Sequence, residues 1–152
     1  MIEYTEDISR ISADQIEGFF VGWPAGPTPE EHLTALSGCW RAIVALDGDR
    51  VVGFVNIISD GVLTAFIPWL EVLPSYQGRG IGTELMQRAL DATADMYSVD
   101  LICDAPLQPY YARLGATAIP GMGWRNHDAF GGACGGGRES NPPDGESPPQ
   151  RF

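Results

Sequence analysis

Lysine is absent from this chain. Its nine cationic residues are all arginine and 20 acidic residues outnumber them, so the 152-residue chain carries a net charge of −11. Because nucleic-acid affinity comes mainly from lysine and arginine neutralising phosphates, this balance argues against a nucleic-acid partner. The missing lysine also excludes a Walker-type phosphate loop, which ends in Gly-Lys-Ser or Gly-Lys-Thr.

Cysteines and long apolar runs are scarce as well. The three cysteines, Cys39, Cys103 and Cys134, are too few and too far apart for a disulfide framework or a cysteine metal centre. No apolar stretch approaches the ~20 residues that cross a bilayer, and the first residues lack the pattern of a secretion signal. We therefore expect a cytoplasmic protein without a membrane partner or a metal cofactor.

Apolar residues make up 44% of the sequence, which is enough to bury a core. From residue 131 onward glycine and proline dominate, and little apolar surface is left to offset the entropy cost of ordering the chain. We expect residues 1–130 to form one domain and residues 131–152 to be a disordered tail rich in glycine and proline.

Helix-start signals occur at two places before residue 40. Ser12 followed by Gln15 has the spacing of a capping box and predicts a first helix. Thr28 followed by Glu31 is a stronger signal, because Pro29 occupies the first helical position between them. The sequence therefore predicts two helices before the first long strand.

The rest of the fold is predicted from apolar periodicity and turn residues. Pro68 lies inside the third long strand and indicates a bulge or an unpaired stretch there. The element order is β-α-α-β-β-β-α-β-α-β-β, an α/β (α+β) fold with a mixed sheet and helices on both faces. After the second helix we expect strands at 40–46, 51–58 and 62–73, a helix at 83–97, a strand at 99–103, a helix at 108–114 and a closing hairpin at 116–126.

A glycine-rich turn joins the third long strand to the next helix, in the stretch LEVLPSYQGRGIGT at residues 70–83. Exposed N–H groups and the positive end of the dipole make a helix N-terminus an anion site, and glycines let the backbone approach the anion closely. The glycine spacing differs from the dinucleotide fingerprint. From the residues alone, an anion site and a tight turn without a ligand both remain open.

The stretch resembles motif A of the GNAT superfamily, the acyl-CoA-dependent N-acetyltransferases. The strand ends in Val72-Leu73-Pro74, and residues 77–82 read QGRGIG. A second family signature, an aromatic helix ending in Y-x-x-x-G, resembles the run from Tyr111 to Gly115. The order of elements over residues 1 to about 128 is also similar to that of the family.

The resemblance implies acetyl-CoA as co-substrate, with its pyrophosphate on the glycine turn and its pantetheine arm beside the third long strand. Tyr111 corresponds to the family's general acid, which protonates the departing thiolate. Asp104 stands where the family often has an asparagine that contacts pantetheine. The residues implied to bind the co-substrate form two neighbouring groups: Leu70, Glu71 and Val72, and Gln77, Gly78, Arg79, Gly80, Ile81, Gly82 and Thr83.

Acetyl transfer to an amine also needs a proton acceptor, because an alkylamine has a pKa near ~10 in water. Glu71 is the leading candidate, since its apolar neighbours favour a raised carboxylate pKa. The alternative is that Glu71 only attracts a cationic acceptor. Asp60 and Asp104 are weaker candidates for the base, and are better read as a turn residue and a helix cap.

The sequence therefore predicts an N-acetyltransferase that moves an acetyl group from acetyl-CoA to a primary amine by direct attack in a ternary complex. The acceptor, a small molecule or a peptide, is not identified, although an acidic domain favours cationic amines. The alternative is a non-catalytic module that binds or senses acyl-CoA. Whether two copies of the chain associate as a homodimer is left open.

Overall fold

The computed structural model describes residues 1–23 and 25–125, so most of the sequence-predicted tail lies outside the described residues. In this part of the chain no helix is both long and apolar enough to cross a membrane. The strands are β1 (Ile2–Thr5), β2 (Arg41–Asp47), β3 (Arg50–Ser59), β4 (Thr64–Phe66), β5 (Leu70–Val72) and β6 (Ser98–Asp100). The helices are α1 (Pro29–Ser37), α2 (Ile81–Ala92) and α3 (Gln108–Arg113).

The six strands form one mixed sheet in the order β1-β2-β3-β4-β6, and β5 also pairs with β3. All the pairings are antiparallel except that of β4 with β6. One face of the sheet packs against α2, where Leu85 and Met86 are buried. The other face packs against α1 and the turns before it, where Leu36 and Phe54 are buried. The mixed α/β fold predicted from the sequence is confirmed.

Helix α1 begins at its predicted capping box. The Thr28 hydroxyl accepts a hydrogen bond from the Glu31 N–H (3.2 Å), and the Glu31 carboxylate accepts one from the Thr28 N–H (2.8 Å). Pro29 occupies the first turn, where its missing N–H costs nothing. Local sequence alone therefore specifies where this helix begins.

The predicted first helix is wrong. Its capping box forms, but the chain completes only a 3₁₀ turn at Ala13–Gln15. Gly18 (φ +91°) and Phe20 (φ +60°) then adopt left-handed backbone conformations, which a right-handed helix cannot contain.

Two later predictions also need correction. Helix α2 begins at Ile81 and ends at Ala92, five residues before the expected end at 97. The Thr93 hydroxyl donates to the Ala89 carbonyl (2.9 Å) at this end, in competition with the backbone. The closing hairpin is wrong as far as it is described, because residues 116–125 contain no strand; residue 126 lies outside the described residues.

The third long strand is broken as its proline suggested. Strand β4 ends at Phe66 and β5 starts at Leu70, with Pro68 between them. Both pieces pair with β3, but among the described strands only β4 continues the sheet to β6. The break therefore leaves one edge of β5 without a neighbouring strand in the described part of the sheet.

Helix α1 places a histidine in an aromatic pocket against the sheet. The His32 ring lies 4.4 Å from the Phe54 ring, 4.9 Å from the Phe20 ring and 5.5 Å from the Phe19 ring, centroid to centroid. His32 is only 3% exposed, and this burial lowers its pKa from 6.5 to about 4. The imidazole is therefore neutral in the folded protein at pH 7.

The lowered pKa of His32 predicts a loss of stability in acid. Between pH 6.5 and about 4 the unfolded chain binds a proton on this ring that the folded protein does not bind, so the free energy of unfolding falls as the pH falls through this window. The loss from this group is at most about 3 kcal/mol. In urea unfolding at pH 7 and pH 4, wild type should lose more stability than His32→Leu. Parallel losses would contradict the lowered pKa.

Candidate functional site

The unpaired edge of β5 faces a gap in the sheet. The Asn56 N–H donates to the Trp69 carbonyl (3.2 Å) and the Leu73 N–H donates to the Val52 carbonyl (2.9 Å), which fixes the alternation of hydrogen bonds along this antiparallel pair. The peptide groups of the intervening residues 70 and 72 consequently point away from β3. They face the side on which β6 and the chain after it diverge from β5.

The glycine turn leads from this gap to the start of α2. Gly78 (φ +74°) and Gly80 (φ +81°) are both in the left-handed region, where glycine is favoured. A Cβ atom added at either position would have no neighbouring atom within 4 Å, so the surface above the turn is open. No side chain caps the N-terminus of α2, whose first N–H groups belong to Ile81, Gly82 and Thr83. This open cradle of N–H groups suits a phosphate.

The polar side chains of the turn hold its shape. The Arg79 guanidinium donates to the Ser75 carbonyl (2.9 Å) and lies 4.9 Å from the centre of the Tyr76 ring. The Gln77 side-chain amide donates to the Val72 carbonyl (2.9 Å). Gln77 and Arg79 thus connect the glycine turn to the chain around it. Neither side chain caps the N-terminus of α2.

Helix α3 carries two tyrosines with different surroundings. Tyr111 is 5% exposed in the core on the α2 side, and burial, followed by the nearby Cys103 and Tyr110, raises the pKa of its phenol. Burial also raises the pKa of Tyr110, while a hydrogen bond with Thr83 at the start of α2 and the Arg113 charge oppose the shift. The Tyr111 phenol is therefore protonated at neutral pH, as a proton donor must be.

The two tyrosines contact the same core to different depths. Tyr111 is the more buried of the two, and the half-buried Tyr110 packs at the margin of the same core. Their rings meet edge to face at 5.0 Å. Thr83 at the start of α2 is close enough to Tyr110 to oppose the rise in its pKa, so Tyr110 lies between the core and the beginning of that helix.

Glu71 projects from β5 on the opposite face of the sheet. Its two carboxylate oxygens lie 2.9 and 3.0 Å from the Phe20 nitrogen, whose N–H they accept, and the Val21 N–H adds a further hydrogen bond. Burial raises the pKa of Glu71, and these two hydrogen bonds partly oppose that rise. The result is a half-buried carboxylate whose pKa is above its usual value.

The backbone that holds Glu71 is strained. Phe20 is the one non-glycine residue with a positive φ among those described, and such conformations persist where surrounding contacts impose them. With this φ, two successive N–H groups converge on one carboxylate, a backbone arrangement that is typical of anion binding. The segment before α1 is thus attached to β5 through Glu71.

Aromatic rings surround this carboxylate. The Phe20 ring lies 5.4 Å from the Trp23 ring and 6.1 Å from the Trp69 ring. Trp69 lies two residues before Glu71, just ahead of β5, and is 36% exposed. Its carbonyl accepts a hydrogen bond from the Asn56 N–H of β3, so the pairing continues to Trp69 and the two side chains lie on one face. Trp69 is not among the residues predicted from the sequence, and its spacing of two from Glu71 is the signal that could have found it.

The remaining candidates have structural roles or carry no chemistry here. The Asp60 carboxylate accepts hydrogen bonds from the N–H groups of Val62, Leu63 and Thr64, which lower its pKa, so it is the turn residue expected. Burial and then the Asp104 charge raise the pKa of Cys103, so its thiol is not an activated nucleophile. Within the described residues no group of three or more His, Cys, Asp or Glu could hold a metal ion.

The chain is similar to known acetyltransferases in the region that contains the gap and the glycine turn. The Acetyltransferase (GNAT) family profile matches residues 8–116, which include the break, the glycine turn and α3. The chain therefore belongs to the GNAT acetyltransferase family. A protein of Deinococcus radiodurans R1 that was proposed to be an acetyltransferase has a crystal structure similar to this one, with 39% sequence identity and a TM-score of 0.83 over 88% of this chain and 94% of that chain.

Other relatives are more distant. A GNAT-family acetyltransferase from Streptococcus pneumoniae TIGR4 is 32% identical, with a TM-score of 0.61 over 83% of this chain and 97% of that one. The histone acetyltransferase TAP1 of Glycine max is 28% identical over 68% of this chain and 52% of its own length. N-alpha-acetyltransferase 30 of Schizosaccharomyces pombe is 30% identical over 49% of this chain and 55% of its own length. The chain thus spans about half the length of the curated relatives it matches.

Replacing Gly80 tests the phosphate cradle. Gly80→Val should weaken CoA binding at least about tenfold in isothermal titration, because the side chain would stand above the N–H groups of the turn and the left-handed φ disfavours valine. Gly48→Val is the matched control. Gly48 also has a positive φ (+62°) with no atom near an added Cβ, but it lies in the β2–β3 turn.

The two variants separate strain from ligand binding. Both should lose stability in thermal unfolding, and only Gly80→Val should lose affinity for CoA. Wild-type affinity in a folded Gly80→Val protein would show that the phosphates bind elsewhere.

Proposed function

We propose that this protein is an acetyl-CoA-dependent N-acetyltransferase that acetylates a primary amine by direct attack within a ternary complex. The observation that carries the proposal is that β5 presents different groups to two different sides. Its peptide groups at residues 70 and 72 face the gap, while Glu71 between them projects into the aromatic pocket on the α1 face. One short strand therefore has a place for each of two substrates.

The residues around the gap fit acetyl-CoA, which supplies an activated acetyl thioester when bound. The N–H groups at the start of α2 would hold the pyrophosphate, since the turn is open and no side chain caps it. The peptide edge of Leu70 and Val72 would pair with the pantetheine amides. The Val72 N–H is then the donor for the negative charge that develops on the thioester oxygen during attack.

Glu71 is the group proposed to take the proton from the acceptor amine. A base for an ammonium ion needs a pKa above that of an ordinary carboxylate, and burial of Glu71 shifts its pKa in that direction. Its hydrogen bonds to the Phe20 and Val21 N–H groups keep the carboxylate in one place. The same negative charge attracts the ammonium ion before proton transfer, so both roles left open by the sequence belong to one residue.

Tyr111 is the group proposed to protonate the departing thiolate. Its phenol is protonated at neutral pH because burial raises its pKa, and it lies in the core beside the gap with Cys103 nearby. In the complete step the amine nitrogen forms a bond to the acetyl carbon and the carbon–sulfur bond breaks. Glu71 takes one proton from the ammonium ion, and the nitrogen loses its second proton to water after the attack. Tyr111 supplies the thiol proton and is reprotonated from water.

A non-catalytic acyl-CoA-binding module would need the gap and the turn but not the groups beyond them. The strained backbone at Phe20 costs stability and its two converging N–H groups hold Glu71 beside the gap, an arrangement with no use in simple acyl-CoA binding. This favours the enzyme.

The direct test is thiol release from acetyl-CoA with a panel of amines and peptides. If no amine raises the rate of thiol release above that in buffer while the protein still binds CoA, the result would favour the non-catalytic module.

The two tyrosines give a sharper test of the mechanism. Tyr111→Phe removes only a hydroxyl, so CoA affinity should be retained while kcat falls about 10²–10³-fold where chemistry limits the rate. The fall should be smaller for acyl donors with better leaving thiols. Tyr110→Phe is the matched control and should change stability more than kcat. Wild-type kcat in both variants would remove Tyr111 from the mechanism.

A further inference from the structure

The sheet face that carries Glu71 has an uncovered apolar surface beside the carboxylate. Three large side chains form it, Ile58, Phe66 and Trp69, which are 52%, 36% and 36% exposed. We call these three residues the apolar floor. Exposed large apolar side chains are common singly, but three on one sheet face beside a candidate catalytic group indicate a binding surface.

The strand register places the apolar floor on the same face as Glu71. Ile58 pairs directly with Phe66, and Phe54, four residues before Ile58 on β3, pairs directly with Glu71. Side chains separated by two or four residues along a strand share a face, which also aligns Trp69 with Glu71. A molecule on the floor can thus reach the Glu71 carboxylate without crossing the sheet.

The polar groups on this face lie along the edge of the floor formed by β4 and β6, where Asp100 pairs directly with Phe66. The nearest hydroxyls on this face belong to Thr64 and Ser98, and they hydrogen-bond to each other (2.8 Å). At the other end of the floor the Phe20 ring stands 6.1 Å from Trp69 and extends the aromatic surface past Glu71. The surface therefore combines a broad apolar and aromatic area with two carboxylates, Glu71 at one end and Asp100 at the other.

We propose, resting on the proposed function, that the acceptor is a primary amine with an aromatic or similarly flat apolar group a few bonds from its nitrogen. The ammonium would lie at Glu71, and the flat group would lie on the apolar floor against Trp69. Charge complementarity selects the ammonium end, because the Phe20 N–H holds the Glu71 carboxylate at the edge of the floor. An aminosugar would leave its hydroxyls on apolar side chains at the cost of their hydration, and a polyamine has no flat apolar group to bury against Trp69.

Equilibrium binding tests this proposal without depending on turnover. Titration of the CoA-loaded full chain with 2-phenylethylamine and with propylamine compares the same ammonium with and without the ring. The aromatic amine should bind at least about tenfold more tightly, which is the scale expected from burying a phenyl group. Equal affinities, or tighter binding of spermidine or glucosamine, would overturn the proposal.

Variants show whether the preference comes from the apolar floor. Trp69→Ala should reduce the ratio of the two affinities towards one, and Trp69→Phe, which keeps a ring and is less disruptive, should reduce it less. Tyr97→Ala is the matched control, since Tyr97 is 95% exposed in the turn between α2 and β6, and it should leave the ratio unchanged. A ratio that both Trp69 variants leave unchanged would place the ring elsewhere and overturn the proposal.

Turnover of the same amines distinguishes this proposal from the proposed function. Binding that depends on Trp69 without acetylation of any amine would contradict the proposed function and support the acceptor site. Acetylation of propylamine and 2-phenylethylamine with equal kcat/KM would support the function and contradict the aromatic preference.

Discussion

If β4 and β5 formed one continuous strand, it would pair with β6 along its whole length and close the gap beside residues 70–72. Pro68 prevents this, because it has no N–H to donate and interrupts the hydrogen-bond ladder. The pieces on either side keep their pairing with β3, so the sheet remains intact while its next strand separates from β5. The gap beside β5 thus begins at the break over residues 67–69, where the pairing with β3 also shifts by one residue.

The same break positions the proposed acceptor side. With β5 fixed on β3, alternation directs Leu70 and Val72 into the α2-side core and Glu71 and Trp69 onto the other face. Glu71 then holds the segment before α1 through the Phe20 N–H, and that segment brings its own aromatic rings to the site. Because the carboxylate is both a structural attachment and the proposed base, a change at Glu71 should alter the acceptor pocket and the chemistry together.

Features that depend on neighbouring residues could be predicted from the sequence, and features that depend on contacts between distant residues could not. The capping box at Thr28, the glycine turn and the break at Pro68 depend on neighbouring residues, and all three form where expected. The first predicted helix fails because Phe20 is held by Glu71, which is 51 residues away along the chain. The apolar floor was missed for the same reason, since no local pattern brings Ile58 beside Phe66.

The central claim is that β5 presents its peptide edge to acetyl-CoA while the opposite face remains available to the acceptor. Amide hydrogen exchange followed by NMR, with and without saturating acetyl-CoA, tests this most directly. Exchange should slow at least about tenfold at Val72 and at Ile81, Gly82 and Thr83, and should be unchanged at Phe20 and Val21. Unchanged exchange at Val72 and at the start of α2 in the acetyl-CoA-bound protein would contradict the account.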